Sequence, residues 1–426
     1  MITSTLAIDG GTPVRSKSFP AWPVFDQEEE RALLDVLHSG KWWQFAYGQD
    51  VELHEDRSAP MAQTTLFEEE FARAHDCAFG VAAANGTATL ELILRSLDIG
   101  PGDEVIVPPY TFIASATSIL QVGAVPIFVD IDPETCNLDP RRIPDAITSR
   151  TRAIMPVHFG GQSADMDAIT AIAQAHGLAV VEDAAHAHGS AWQGKKCGSL
   201  GDAGSFSFQA SKNMTAGEGG CITTNQPELA LRCRSYLWAG REPGRPWYEH
   251  HRLGWNYRIS EFQSALLRVQ LSRLSEQTAR RDANGRYLAA RLQAETPCLI
   301  PQRIDPRATT VSFHLFISRY QPAACGGLSR EAFLAALNAE GIPCSAGYCF
   351  PLYRNPMFLR KDFWKGGFPC VPPFARELDY ADFADLCPVS EALCRDAVWF
   401  TQNMLLGTRE DMDDIVKAVL KIQKNR

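Results

Sequence analysis

The chain contains no hydrophobic run approaching the ~20 apolar residues that a membrane-spanning helix needs, so that class of protein is excluded. Its first residues, MITSTLAIDGGTP, offer neither a cationic start nor an apolar stretch, and no secretory leader is expected. Positive charge is not in excess: 41 Lys and Arg stand against 50 Asp and Glu, a formal net charge of −9. That balance argues against nucleic acid or an anionic membrane as a partner. Basic arms, acidic tails, internal repeats and low-complexity tracts are absent as well. The 12 cysteines are scattered and form no C-x-x-C pair. Only Cys344 and Cys349 lie close together, and Cys221 and Cys233 sit in apolar segments, where a thiol acts as a small hydrophobe. A reduced, cytoplasmic setting is therefore expected. No G-x-G-x-x-G follows a strand, which leaves a nicotinamide-dependent oxidoreductase without its phosphate-binding turn.

What remains is the composition of a globular protein, 45% hydrophobic and 21% charged over 426 residues. That length exceeds one ordinary core and implies two domains, or one large domain with an appended smaller one. From about Phe67 to Thr224, Val- and Ile-rich runs without alternation (FGVAAA, DEVIVPP, VPIFVDI, TRAIMPVHF, LAVVEDAA) take turns with helical patterns. The helical segments are GTATLELILRSL, TFIASATSILQVG, PRRIPDAITSR and DMDAITAIAQAHG. Unalternating strands are covered on both faces, and strand–helix–strand repetition makes right-handed crossovers. The expected fold is α/β, with a mostly parallel central sheet flanked by helices. Beyond Gln226 the pattern changes. A long helix over Ser260–Glu295 precedes a strand in VSFHLFISRY, a helix in SREAFLAALNAEGIPC ending at Gly341, another strand, and the closing helix REDMDDIVKAVLKI. A large domain over 1–290 and a smaller α+β domain over 291–426 are expected. Trp42–Thr65 and Arg360–Tyr380 read as neither strand nor helix; loops of that length are either functional or surface excursions.

Ligands of an open parallel sheet collect at the carboxyl ends of its strands, and three motifs fall there. In ANGTAT, Asn85-Gly86-Thr87 joins a strand to a helix. Gly86 allows close approach, Thr87 offers a hydroxyl, and the helix N-terminus offers free N–H groups for an anion; a plain helix cap uses the same residues. In VVEDAAHAHG, Glu182 and Asp183 end an apolar strand, so at least one carboxylate emerges at the sheet edge, either in need of a partner or acting as a cap. His186 and His188, two residues apart with no third ligand nearby, do not make a metal site. In GSFSFQASKNMTAGEGG, Ser205 and Ser207 share one face of a strand, and Lys212 follows among small hydroxyl residues. A lysine shielded from water has a lowered pKa and can form a Schiff base. Together with a strand-end carboxylate for a pyridinium nitrogen and a phosphate cradle, that is the set of contacts pyridoxal phosphate requires.

These segments, with GPGDEVIVPPYTFIASATSILQVGAVPIFVDID and LGWNYRISEFQSALL, resemble the DegT/StrS family of fold-type I pyridoxal-phosphate aminotransferases acting on keto-sugars and keto-cyclitols. The likeness runs from about Leu6 to the C-terminus, with the motifs in the family's order. It implies that Lys212 holds the cofactor as a Schiff base and that Asp183 contacts the pyridine nitrogen. It further implies that Phe112 stacks on the ring, with Tyr110 second to it, and that Gly86, Thr87 and Ser207 bind the phosphate. His186 stands where many members carry Gln, and either type can bond the ring oxygen. Asn256 in GWNYR is expected to reach the phosphate of a neighbouring subunit, which implies a homodimer with shared active sites. Members that dehydrate sugars carry His at the position of Lys212, so the lysine favours aminotransfer. The motifs are most similar to the inosose and aminohydroxybenzoate branches. The implied reaction moves an amino group from glutamine or glutamate to a keto-cyclitol or keto-sugar, in secondary-metabolite or aminosugar biosynthesis. Arg241, His250 and His251 are the candidates for the donor's carboxylate. The alternatives are a dehydrating, aromatising synthase of the aminohydroxybenzoate type and a non-catalytic regulatory relative.

Overall fold

A computed structural model describes residues 5–43, 62–246 and 248–425. The centre is a seven-stranded sheet built from β1 (Phe79–Ala83), β2 (Glu104–Val107), β3 (Val125–Phe128), β4 (Thr151–Ile154), β5 (Ala179–Asp183), β6 (Ala203–Ser207) and β7 (Gly220–Thr224). Its order is β1-β7-β6-β5-β4-β2-β3. Neighbours run parallel from β6 to β3, and β7 alone runs against its two partners. The mostly parallel sheet read from the unalternating strands is what the chain builds. Val81, Val105, Ile106, Ile127, Ile154 and Val181 are almost wholly buried, as strands covered by helices on both faces must be.

Two elements differ from expectation. PRRIPDAITSR forms a short 3-10 turn and then a single turn over Ile143–Ala146. Pro140 and Pro144 each serve only as first-turn residues, and Ile147 is already extended. The Thr148 N–H then donates to Thr151 Oγ1 at 2.9 Å and leads the chain into β4. The segment after Gly341 is not a strand but an isolated bridge between Ser345 and Trp399. Gly347, at φ +72, turns the chain against the Trp399 ring, where a Cβ would come within 2.6 Å. The second sheet instead joins β8 (Leu299–Pro301), β9 (Leu315–Tyr320) and β10 (Ala397–Thr401), all antiparallel.

The helix Glu261–Glu295 links the two parts of the chain, and residue 290 lies inside it. A capping box between Ser260 and Gln263 starts it. Its first half packs Leu267 and Leu274 against Phe67, Phe71, Phe206 and Phe208. Further along, Asn284 Nδ2 donates to the carbonyls of Leu405 and Gly407, both at 2.9 Å, just before the closing helix Arg409–Lys424.

Most of Trp42–Thr65 lies outside the described residues. Arg360–Tyr380 leads to a group of rings against the edge strand β3. Phe358, Tyr380 and Phe383 surround Phe128 at 5.3–5.8 Å, and the Tyr380 hydroxyl donates to Pro126 O at 3.2 Å. A covered edge strand cannot template pairing with another chain. Among the described residues no helix is long and apolar enough to cross a membrane.

Candidate active site

The carboxyl ends of β1, β5 and β6 open into a cavity of about 850 Å³. Gly86, Thr87, Phe112, Asp183, His186, Ser207 and Lys212, seven residues spread over 127 positions of sequence, all line it.

Lys212 stands in the loop between β6 and β7, and that loop is braced. Lys212 N donates to Gln209 O at 2.9 Å, Thr215 Oγ1 to Phe208 O at 2.9 Å, and Asn213 Nδ2 to Ser312 O at 2.7 Å. The residue is half-buried by exposed surface, yet its amine has no hydrogen-bond or ion-pair partner among the described residues. Burial lowers its pKa to about 8, against a smaller upward pull from the Asp183 charge. A useful fraction of the amine is therefore neutral and nucleophilic near neutrality.

The two strand-end carboxylates part ways, because side chains alternate along β5. Glu182 turns inward and is consumed by structure: it accepts from the N–H groups of Gly198, Leu200 and Gly201 at 2.7–2.8 Å and bonds His158 Nε2 at 2.8 Å. Asp183 faces the cavity. Its Oδ2 accepts from Ser115 Oγ at 2.7 Å and its Oδ1 from Ala185 N at 3.2 Å.

At the end of β1, Asn85 Oδ1 caps the helix Gly86–Ser96 by accepting from Ala88 N at 2.9 Å. The N–H groups of Gly86 and Thr87 have no acceptor among the described residues, as first-turn donors do not. A Cβ at Gly86 would come within 2.7 Å of Ser207 Cβ, so only glycine lets the hydroxyl and these amides converge. The cap is present, and the first-turn amides beside Ser207 are left without an acceptor among the described residues.

His186 is buried, and its Nδ1 accepts from Gly160 N at 3.3 Å. Burial first, and then the Lys212 charge, hold its pKa well below the ordinary value. The neutral ring accordingly carries its proton on Nε2, a donor available to a ring oxygen. Phe112 is 57% exposed and forms part of the wall. Tyr110 does not reach the cavity surface: it is 1% exposed and sits edge-on to Phe159 and Tyr348 at 5.1 and 5.5 Å. Packing has taken the role that position offered. Arg241, His250 and His251 are not among the cavity residues either. Arg241 lies over Trp238, His250 Nδ1 bonds Ala239 O at 2.7 Å, and His251 pairs with Glu249. Asn256 is exposed and its Oδ1 accepts from Arg258 Nε at 2.8 Å.

The structure adds residues that sequence reading missed: Trp22, Glu91, Tyr257, His314, Tyr348, Trp399 and Gln402. The His314 ring lies 4.1 Å from that of His186, tilted by 35°, and bonds Asn213 Oδ1 at 3.1 Å, and burial holds its pKa well below the ordinary value. A histidine in VSFHLFISRY, just before β9, was the one local sign of it. Tyr257 OH donates to Glu91 Oε2 at 2.9 Å, and burial raises the Glu91 pKa. The distant partners of these residues left no trace in local pattern.

The donor set fits pyridoxal phosphate: an unpaired amine, a hydrogen-bonded carboxylate, free amides beside Ser207 and a neutral imidazole donor all line one cavity. Among the described residues no group of three or more His, Cys, Asp or Glu could hold a metal ion.

A family model described as DegT/DnrJ/EryC1/StrS aminotransferase family matches residues 52–420. An L-glutamine:2-deoxy-scyllo-inosose aminotransferase of Streptoalloteichus tenebrarius is 39% identical over 99% of this chain and 98% of its own length. A 3-amino-5-hydroxybenzoate synthase of Amycolatopsis mediterranei is 38% identical over 93% of this chain and 95% of its own. A crystal structure of 3-amino-5-hydroxybenzoic acid synthase superposes with a TM-score of 0.83 at 35% identity, covering 97% of this chain and all of that one.

Proposed function

Since the chain belongs to the DegT/DnrJ/EryC1/StrS aminotransferase family and is a pyridoxal-phosphate-dependent transaminase, we propose that it moves the amino group of glutamine or glutamate onto a keto-cyclitol. A keto-sugar is the alternative acceptor. The observation that carries this reading is the unpaired Lys212 amine, its pKa lowered to about 8, in the same cavity as Asp183. The name of the inosose aminotransferase that is 39% identical supports the choice of glutamine and of a cyclitol.

Pyridoxal phosphate, when bound, supplies an aldehyde that condenses with amines and a ring that accepts the electrons of a deprotonated α-carbon. Everything else is the work of side chains. Asp183, fixed by Ser115 and Ala185 N–H, keeps a proton on the pyridine nitrogen. His186 Nε2–H bonds the ring oxygen, and the Gly86 and Thr87 amides with Ser207 take the phosphate. Phe112, in the cavity wall, would cover one face of the ring. With the cofactor bound, Lys212 would serve as the general base that takes the proton from the donor's α-carbon and would return it in the second half of the cycle. Two half-reactions through one site give ping-pong kinetics.

The part of the chain over 1–290 holds the cofactor in this reading. The part over 291–426 lends His314, Trp399 and Gln402 to the same cavity. Exposed Asn256 points to a homodimer in which it serves the neighbouring subunit's phosphate. A cytoplasmic place in aminocyclitol antibiotic biosynthesis completes the proposal.

A second reading, a dehydrating and aromatising synthase, is favoured by the 0.83 TM-score to the aminohydroxybenzoate enzyme. Incubation of the purified protein with glutamine and a keto-cyclitol separates them. An amino-cyclitol that keeps all its hydroxyls supports aminotransfer; loss of water with a new aromatic absorbance supports the synthase. A non-catalytic, cofactor-binding regulatory relative would also hold the cofactor on the lysine, and absence of any product would favour it.

A further inference from the structure

Arg281 lies in the middle of the long helix, is 0% exposed, and has no carboxylate within ion-pair distance among the described residues. Its Nε and Nη2 both donate to one neutral oxygen, Gln402 Oε1, at 2.9 and 2.6 Å. Nη2 also reaches Gln277 Oε1 at 3.3 Å, Nη1 has no partner, and the guanidinium lies 5.1 Å from the Trp22 ring centroid. A buried guanidinium without a counter-charge is costly. Burial alone lowers its pKa to about 9.

Gln402 is what the guanidinium holds. It stands directly after β10, is 3% exposed, and lines the cavity together with Trp22. Because two N–H groups of Arg281 claim Oε1, the amide orientation is fixed and the NH₂ group is the end left over. Nothing among the described residues accepts from that NH₂ group. Beside it, Asn403 spends its own amide on Pro20 O at 2.7 Å, and Thr401 Oγ1 donates to Asn403 Oδ1 at 2.7 Å. A polarised donor with unneutralised positive charge behind it faces a cavity whose other ionisable side chains are Lys212, Asp183, Glu91, Glu218, Tyr257, Tyr348 and the two neutral histidines.

Resting on the proposed aminotransfer, we propose that Gln402 binds the α-carboxylate of the amino-acid donor and that Arg281 is the residue that positions and polarises it. The amide N–H donates to a carboxylate oxygen, and the guanidinium supplies the missing charge from behind without touching the substrate. The arrangement also suits a site that must take two substrates in turn. A polarised amide accepts a carboxylate in one half-reaction and a hydroxyl in the other, whereas an exposed guanidinium would hold the amino acid and resist the uncharged cyclitol.

The test measures the donor half-reaction of the holoenzyme by stopped-flow absorbance with L-glutamine and with 4-aminobutanamide, the same donor without its α-carboxylate. Wild-type enzyme should prefer glutamine. In Gln402→Leu that preference should fall by about 10- to 100-fold, the range of a charge-assisted hydrogen bond. The half-reaction with the keto-cyclitol should change much less. Gln402→Glu keeps the shape, gives Arg281 a counter-charge and repels a carboxylate, so it should lose glutamine more than the amine even if the leucine variant does not fold. Arg281→Lys, which cannot make both bonds to Oε1, should fall between. An unchanged preference in Gln402→Glu, or equal losses in both half-reactions, overturns this assignment while the aminotransferase reading stands. A wild-type enzyme that takes an amino group from no amino acid overturns both.

Discussion

Ser115 Oγ donates to Asp183 Oδ2 across 2.7 Å, and Asp183 faces the cavity that also holds the Lys212 amine. The hydroxyl fixes the carboxylate without neutralising it, so its charge remains available to a pyridinium. Asp183→Ala should lower kcat by about 10²–10⁴, the range for a group that controls a proton in the reaction. Ser115→Ala, which leaves the acid in place but loose, should cost about tenfold. Both are checked by steady-state kinetics beside thermal unfolding; wild-type kinetics in Asp183→Ala would remove the electron-sink role.

The neighbouring carboxylate should behave in the opposite way. Glu182 accepts three backbone N–H groups and bonds His158, all inside the protein. Glu182→Gln replaces one acceptor oxygen by a donor and should cost about 3 kcal/mol of stability. The expected result is a lower Tm with a smaller fall in kcat than Asp183→Ala gives. Unchanged Tm would contradict the structural role.

Lys212 carries a pH signature. Its pKa lies at about 8 in place of the ordinary 10.5, because burial disfavours the cation. The neutral amine is the reactive form, so the rate at which cofactor-free protein condenses with a small aldehyde should rise with pH to a midpoint near 8. The Asp183 charge raises that pKa, so Asp183→Asn should move the midpoint lower. A midpoint near 10.5 would contradict the burial, and an upward move in the variant would contradict the pull of the Asp183 charge.

The cradle at the helix N-terminus can be filled. Gly86→Ala places a Cβ 2.7 Å from Ser207 Cβ and should cost about 1–3 kcal/mol in overpacking together with weakened cofactor binding. Thr87→Ala removes only a hydroxyl, so it should weaken cofactor affinity with Tm of the cofactor-free protein unchanged. Equilibrium titration with pyridoxal phosphate and thermal unfolding separate the two; full cofactor affinity in both variants would rule out the cradle.

Elements and first contacts were legible where the physics is local. Unalternating runs marked the buried strands, Asn85 and Gly86 marked a helix start, and one lysine among hydroxyls marked the site. Two proline residues shortened the helix expected in PRRIPDAITSR, a local signal that was open to reading. Tyr110 and Phe112 sit two residues apart, yet one is packed inside and the other lines the cavity, a difference set by Phe159 and Tyr348 from elsewhere in the chain. Arg281 and Gln402 meet across 121 positions of sequence. Nothing in the long helix distinguishes that arginine from its solvated neighbours until β10 is packed beside it.

The most direct measurement traps the covalent bond. Holoenzyme reduced with borohydride, digested and mapped by mass spectrometry should carry the reduced cofactor on the peptide containing Lys212, and Lys212→Ala should carry none. A label on any other lysine, or an undiminished label in that variant, would contradict the account.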